Sequence, residues 1–144
     1  MAGTTLTKEE IAQHLRALGV RPAMTLMVHS SLSALGQVKG GADAVIDALL
    51  ETVGLQGTLL MPTHPARDGR TFDPNAIPSD MGTISETFRQ RRDVRRSRHP
   101  YHPVAAIGAD ATRLLHQHES SAVPDGGATP YGRLIAAQGF ALLI

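Results

Sequence analysis

Apolar and polar positions follow two rhythms along this chain, and each change of rhythm marks an element. Over Thr7 to Leu18 the apolar residues recur at helical spacing, with Ile11, Leu15 and Leu18 on one face. Thr7 and Glu10 are spaced as a capping box and Gly19 suits a left-handed exit, so a helix is expected here. After Pro22, Met24 to His29 is an apolar run of strand length without polar alternation, as in a strand covered on both faces. A second helix is expected from Ala42 to Val53, where Val45, Ile46, Leu49, Leu50 and Val53 form one stripe. Gly54 and Gly57 break the chain before a second strand, Thr58 to Met61.

From Pro62 to Pro78 the chain reads as a loop rich in Pro, Asp and Gly, of a length usually found in functional or mobile segments. A short helix is expected from Gly82 to Arg91, capped by Thr83 with Glu86 three residues on. Val104 to Ile107 reads as a strand and Ala109 to His118 as a helix with Asp110 near its start. Thr129-Pro130 is a helix start and Gly139 its end. Phe140 to Ile144 is a strand that no polar turn or charged cap closes; it is either a complete terminal strand or one where the chain is cut short. The alternation predicts an α/β layered domain, with 1–144 as a single unit and no internal repeat.

Composition narrows the class. With 144 residues and 42% hydrophobic content the chain can bury a core. Aromatics are only 3% and Trp is absent, so that core must be aliphatic. A net charge of +1 argues for no polyanionic partner. Without cysteine there is no disulfide, thiolate zinc site or cysteine nucleophile, and an intracellular setting is favoured. Met1 to Glu10 lacks the pattern of a signal peptide, and no apolar run approaches bilayer length. A cytoplasmic protein that contacts neither membrane nor nucleic acid is expected.

The chemistry concentrates where the first strand stops. Val28-His29-Ser30-Ser31-Leu32-Ser33-Ala34-Leu35-Gly36 passes from apolar to hydroxyl-bearing residues, and Val38-Lys39-Gly40-Gly41-Ala42 leads into the second helix. Hydroxyls, a lysine and the amides of a helix start suit phosphates and pantetheine amides. The bland alternatives are a local cap for the serines and a flexible helix start for the glycines. Six arginines (Arg89, Arg91, Arg92, Arg95, Arg96 and Arg98) crowd one stretch, which read alone is a solvated face. Of seven histidines, His99 and His102 straddle Pro100 and precede Pro103, so no helix sets their rings on one face. His116 and His118 are two apart and should point different ways. No metal site is expected.

Taken in order, Val28 to Gly36, Gly40-Gly41-Ala42, Gly57-Thr58-Leu59-Leu60-Met61-Pro62-Thr63, Phe72-Asp73-Pro74, Met81-Gly82, Arg96-Ser97-Arg98-His99-Pro100 and Thr129-Pro130-Tyr131-Gly132-Arg133-Leu134 resemble the aminoglycoside 3-N-acetyltransferase family. The resemblance runs from about Leu26 to Ile144. It implies a layered mixed sheet flanked by helices, acetyl-CoA as co-substrate, and an aminoglycoside or other polyamine as acceptor. It also implies that the His and Glu usually assigned to catalysis lie beyond Ile144, leaving His99 as the best proton-handling candidate present. A structural role is the stronger reading for that histidine.

On the same resemblance, Ser30, Ser31, Leu32, Lys39, Gly40, Gly41, Arg96 and Ser97 are the candidates for contacting CoA. Aminoglycosides are polycations, so carboxylates should receive them, and Asp73 and Glu86 are the candidates. A capping role explains Glu86 equally well, and a turn explains Asp73. Three functions remain to be separated: an acetyl-CoA-dependent N-acetyltransferase, a non-catalytic CoA-binding fragment, and a nucleic-acid module built on the arginines. The last lacks the aromatics or reading motif that such modules use. The sequence leaves the oligomeric state open.

Overall fold

Five strands form the central sheet: β1 (Thr25–His29), β2 (Thr58–Pro62), β3 (Arg95–Arg96), β4 (Val104–Gly108) and β5 (Phe140–Leu143). The computed structural model describes residues 5–144. The strands lie in the order β3-β4-β2-β1-β5. β1 runs parallel to β2 and β5, whereas β4 runs antiparallel to β2 and β3, so the sheet is mixed.

Among the described residues six helices cover it: α1 (Lys8–Leu18), α2 (Leu32–Leu35), α3 (Gly41–Val53), α4 (Thr83–Gln90), α5 (Ala111–Leu115) and α6 (Pro130–Ala136). Successive strand residues point to opposite faces, and the two cores follow that alternation. Leu26, Val28, Leu59, Met61 and Ala105 pack with α1, α3 and α4 through Leu15, Ile46, Leu49, Ile84 and Phe88. Met27, Leu60, Val104 and Ala106 pack with α5 and α6 through Leu114 and Leu134. This is why β1 and β2 read as unbroken apolar runs: both faces are covered.

The first helix forms as its sequence indicates. Thr7 Oγ1 accepts from the Glu10 amide at 3.2 Å, while Glu10 Oε2 accepts from the Thr7 amide at 2.8 Å. Gly19 follows in the left-handed region, with φ 106°. Losing this reciprocal cap in Thr7→Ala should remove about 1 kcal/mol of stability, read as a lower midpoint in urea. Leu18 departs from expectation. It is 71% exposed, because the buried stripe of α1 is Ile11, Ala12 and Leu15.

Other boundaries also differ. The Thr83–Glu86 capping box does not form: α4 is preceded by Gly82, with no side-chain cap. Glu86 instead accepts from the Ser79 amide at 2.7 Å and pairs with Arg89. The helix expected from Ala109 to His118 is confined to α5. His116 leaves helical geometry, Gln117 turns left-handed at φ 50°, and His118–Ser120 form a 3-10 turn. The short α2 and β3 were not legible as separate elements. Thr129 caps α6 with Pro130 in its first turn, as expected. Among the described residues no helix is long and apolar enough to cross a membrane.

The topology gathers several loops at one rim. Because β1 and β2 are parallel, α3 must run back along the sheet between them. The carboxyl ends of β1, β2 and β5 and the amino end of β4 therefore meet at the same edge.

Candidate functional site

At that rim the chain leaves β1 at His29 and enters the serine run. The Ser31 amide donates to Ile144 O at 2.8 Å, tying the run to the end of β5. Ser31 Oγ accepts from the Ala34 amide at 3.4 Å as the cap of α2 and lies 3.0 Å from Ser33 Oγ. Ser30 Oγ is enclosed and has no hydrogen-bond partner among the described residues. Ser30, Ser31, Leu32, Ser33 and Gly36 line one wall of an open cleft of about 510 Å³, and Met81, Gly82 and Thr83 line the other. Gly82 and Thr83 also border an adjoining hollow that contains Ser79, Asp80 and Glu86. A hydroxyl-rich cleft and an acidic hollow thus share one partition.

Lys39, Gly40 and Gly41 do not line this cleft. The Lys39 amide donates to Leu6 O at 2.8 Å, and Gly40 and Gly41 take positive φ values of 87° and 59° as the chain turns into α3. The Gly41 amide is itself engaged by Val38 O at 3.0 Å. The fold gives this diglycine a turn to make, at the same end of the sheet as Ser30.

Arg96 and Ser97 have internal partners. The Arg96 guanidinium, half-buried, donates to Thr63 Oγ1 at 3.0 Å and Pro74 O at 3.2 Å, and also to the carbonyls of Thr63 and Ile77. It lies 4.9 Å from the centre of the Phe72 ring. Burial pulls its pKa down to about 10, which leaves it charged at neutral pH. Ser97 Oγ accepts from the Val104 amide at 2.9 Å and shares a hydrogen bond of 2.8 Å with His118 Nδ1.

The arginine run is less solvated than its composition suggests. Arg91 reaches Asp43 at 2.6 Å and Asp47 at 2.5 Å, joining α4 to α3. The Arg89 side chain is only 8% exposed against Glu86. That guanidinium holds the Glu86 carboxyl down to about 2, so most of its charge is already balanced. Asp73 is exposed and accepts from the Asn75 amide at 2.8 Å, a turn that leaves a carboxylate oxygen facing solvent. Asp80, beside Glu86 in the acidic hollow, is exposed; nothing in its local sequence singles it out.

A histidine cluster was missed. His99 and His118 stack at 4.7 Å, His64 and His102 meet edge-on at 4.6 Å, and His99 and His102 lie 5.9 Å apart. As expected no helix sets His99 and His102 on one face, yet the loop itself brings the two rings near each other. The loop folds back so that the amides of Tyr101 and His102 both donate to His99 Nδ1. His118 is fully buried while His116 is exposed, which agrees with their opposed directions. Burial, then the His99 ring, lowers His118 to about 4; burial, then His102, does the same for His64. His99 is lowered too, chiefly by burial. Its Nδ1 is occupied, which gives it a structural setting. Among the described residues no set of three His, Asp or Glu has a metal-binding arrangement.

Together these features define a three-layer α/β domain whose candidate site lies at the carboxyl ends of its parallel strands. The aminoglycoside 3-N-acetyltransferase family profile matches residues 27–144, and the chain belongs to that family. The prophage-derived aminoglycoside N(3')-acetyltransferase-like protein YokD of Bacillus subtilis is 33% identical over 96% of this chain and 59% of its own. Aminoglycoside N(3)-acetyltransferase IV of a Salmonella species is 34% identical over 95% and 52%. The crystal structure of the AAC(3)-IVa apoenzyme superposes with a TM-score of 0.93 at 33% identity, over 99% of this chain and 56% of that one.

The chain therefore spans a little over half the length of the relatives it matches. The YokD alignment extends over 162 positions yet uses 96% of these 144 residues, so that relative carries residues with no counterpart here. The type IV alignment extends over 139 positions and needs almost no such insertion. Other solved relatives include AAC-IIIb with CoASH, AAC-VIa with sisomicin, and AAC(3)-IVa variants with a gentamicin or with apramycin.

Proposed function

We propose that this chain takes part in acetyl transfer from acetyl-CoA to an amine of an aminoglycoside, with the cleft between Ser30–Ser33 and Met81–Thr83 receiving the acyl carrier. The observation that carries this reading is Ser30 Oγ, enclosed at the cleft wall with its hydrogen-bonding capacity unused. A buried hydroxyl without a partner is costly, and a pantetheine amide or carbonyl would supply one where a small shift of the wall opens Ser30 Oγ to the cleft. In the transfer, a neutral amine attacks the thioester carbonyl, the C–S bond breaks, and the ammonium proton passes through a base to the departing thiolate. The family CoASH complex supports the donor, and its aminoglycoside complexes support the acceptor. Asp80, in the hollow that adjoins the cleft, is the exposed carboxylate that would meet a polycation there, and Asp73, exposed on the long loop, is a second.

The test pairs a melting scan with a free-thiol assay. Saturating CoA at about a hundred times its Kd should stabilise the fold by roughly 2.7 kcal/mol, and Ser30→Ala should reduce that shift. Gentamicin and apramycin are the first acceptors to try, since the type IV relative aligns with almost no inserted residues. Thiol release with either acceptor supports transfer. A CoA shift without release reduces the function to carrier binding, and absence of both overturns the reading.

A further inference from the structure

We propose that Arg96 is a positioning residue: it grips the long loop on both sides of Asp73 and so presents that carboxylate to a polyammonium substrate. The inference rests on the acceptor class argued above and gives Arg96 a role other than contact with CoA. Three observations carry it. First, the guanidinium stacks on Phe72 and donates to Pro74 O, the residues immediately before and after Asp73. Second, the same group reaches Thr63 and Ile77, so one side chain spans the loop from its start to beyond its middle. Third, among the described residues Arg96 forms no ion pair with a carboxylate; its charge is met by carbonyl dipoles of the loop it holds.

A planar fork of donors suits this task, and a lysine ammonium cannot reproduce it. Phe72, Pro74 and Ile77 are half-buried while Asp73 is exposed, so the grip fixes the flanks and leaves the carboxylate available. The turn at Asp73, with the Ile77 amide donating to Asp73 O at 2.9 Å, sets only local geometry. Arg96 sets where that turn stands relative to β3 and β4.

Trypsin reports on the loop directly, because Arg67 and Arg70 lie within it and are exposed. In Arg96→Ala, cleavage after Arg67 and Arg70 should rise about tenfold or more, while cleavage after Arg16 and Arg113 stays at the wild-type rate. Arg96→Lys should fall between the two. Calorimetry should show gentamicin affinity weakened in Arg96→Ala and in Asp73→Asn, with no further loss in the double variant and with the CoA melting shift retained in all three. Unchanged loop cleavage, or a rise at every site together, overturns the grip. A released loop with gentamicin affinity intact overturns the positioning role alone. If the wild-type protein does not bind gentamicin at all, the acceptor assignment falls and takes this inference with it.

Discussion

Lowering the pH from 7 toward 4 should destabilise this protein before most of its carboxylates are neutralised. His118 and His64 ordinarily titrate near 6.5, and in the fold both are held down to about 4. Above 6.5 both states carry them neutral and pH has no leverage. Between 6.5 and 4 the unfolded chain takes up protons that the folded chain refuses, so stability falls as pH falls. Below 4 both states are protonated and the loss levels off. His118, fully buried, should contribute roughly 3 kcal/mol of that loss, and His64, partly open, less.

The surroundings of the two rings act in the same direction. His118 faces the His99 ring, His102 and Arg133, with Glu119 alone in opposition; His64 faces His102, His29 and Arg67, opposed by Asp125. Glu86 acts in a separate, lower window. Its pKa is held near 2 by Arg89, so its contribution is whole above the usual carboxylate range and disappears as pH falls through 2. Urea midpoints from pH 7 to pH 4 measure the effect. His118→Asn keeps a polar amide near the position of Nδ1 and cannot be charged, so its profile should be flatter. A profile parallel to wild type would show that His118 is not responsible.

The second large effect is expected at Gly108, where β4 closes against the start of β2. Its φ is 123°, and a Cβ there would stand 2.1 Å from Gly57 O and 2.7 Å from Thr58 Cα. Both are backbone atoms, held by the Thr58–Gly108 pairing and by the Ala109 amide on Gly57 O. Gly108→Ala must therefore break register or shift the strand, costing about 3 kcal/mol, or on the order of 10 °C in Tm. Gly127, with open space around it, is the control, and Gly127→Ala should melt close to wild type. A Gly108→Ala protein that melts within a degree or two of wild type would refute the claim.

What could be read from the sequence was local. The Thr7–Glu10 cap, the apolar stripe of α3, the covered strands β1 and β2, and the Thr129-Pro130 start all depend on neighbours a few residues away. What could not be read was long-range. Arg96 bonds to carbonyls, which every residue possesses, so nothing at positions 74 or 77 announces the contact. His118 meets Ser97 and His99 only because the chain folds back after α5, at the left-handed Gln117. Glu86 shows the converse error. Its spacing from Thr83 fits a cap, but the Arg89 fork and the Ser79 amide compete successfully for its oxygens.

The pairing of β1 with β5 sets the order of assembly. Leu26 aligns with Phe140, so β1 gains its second neighbour only when a residue more than a hundred positions later arrives. Helix α3 brings β2 to β1 across a short span, and that pair with its helices can form while the rest of the chain is still leaving the ribosome. The hydroxyl-bearing turn at Ser31, latched by the Ile144 carbonyl, must then be among the last places to set. A nascent chain would carry the cleft beside Ser31 half-made until synthesis had passed β5.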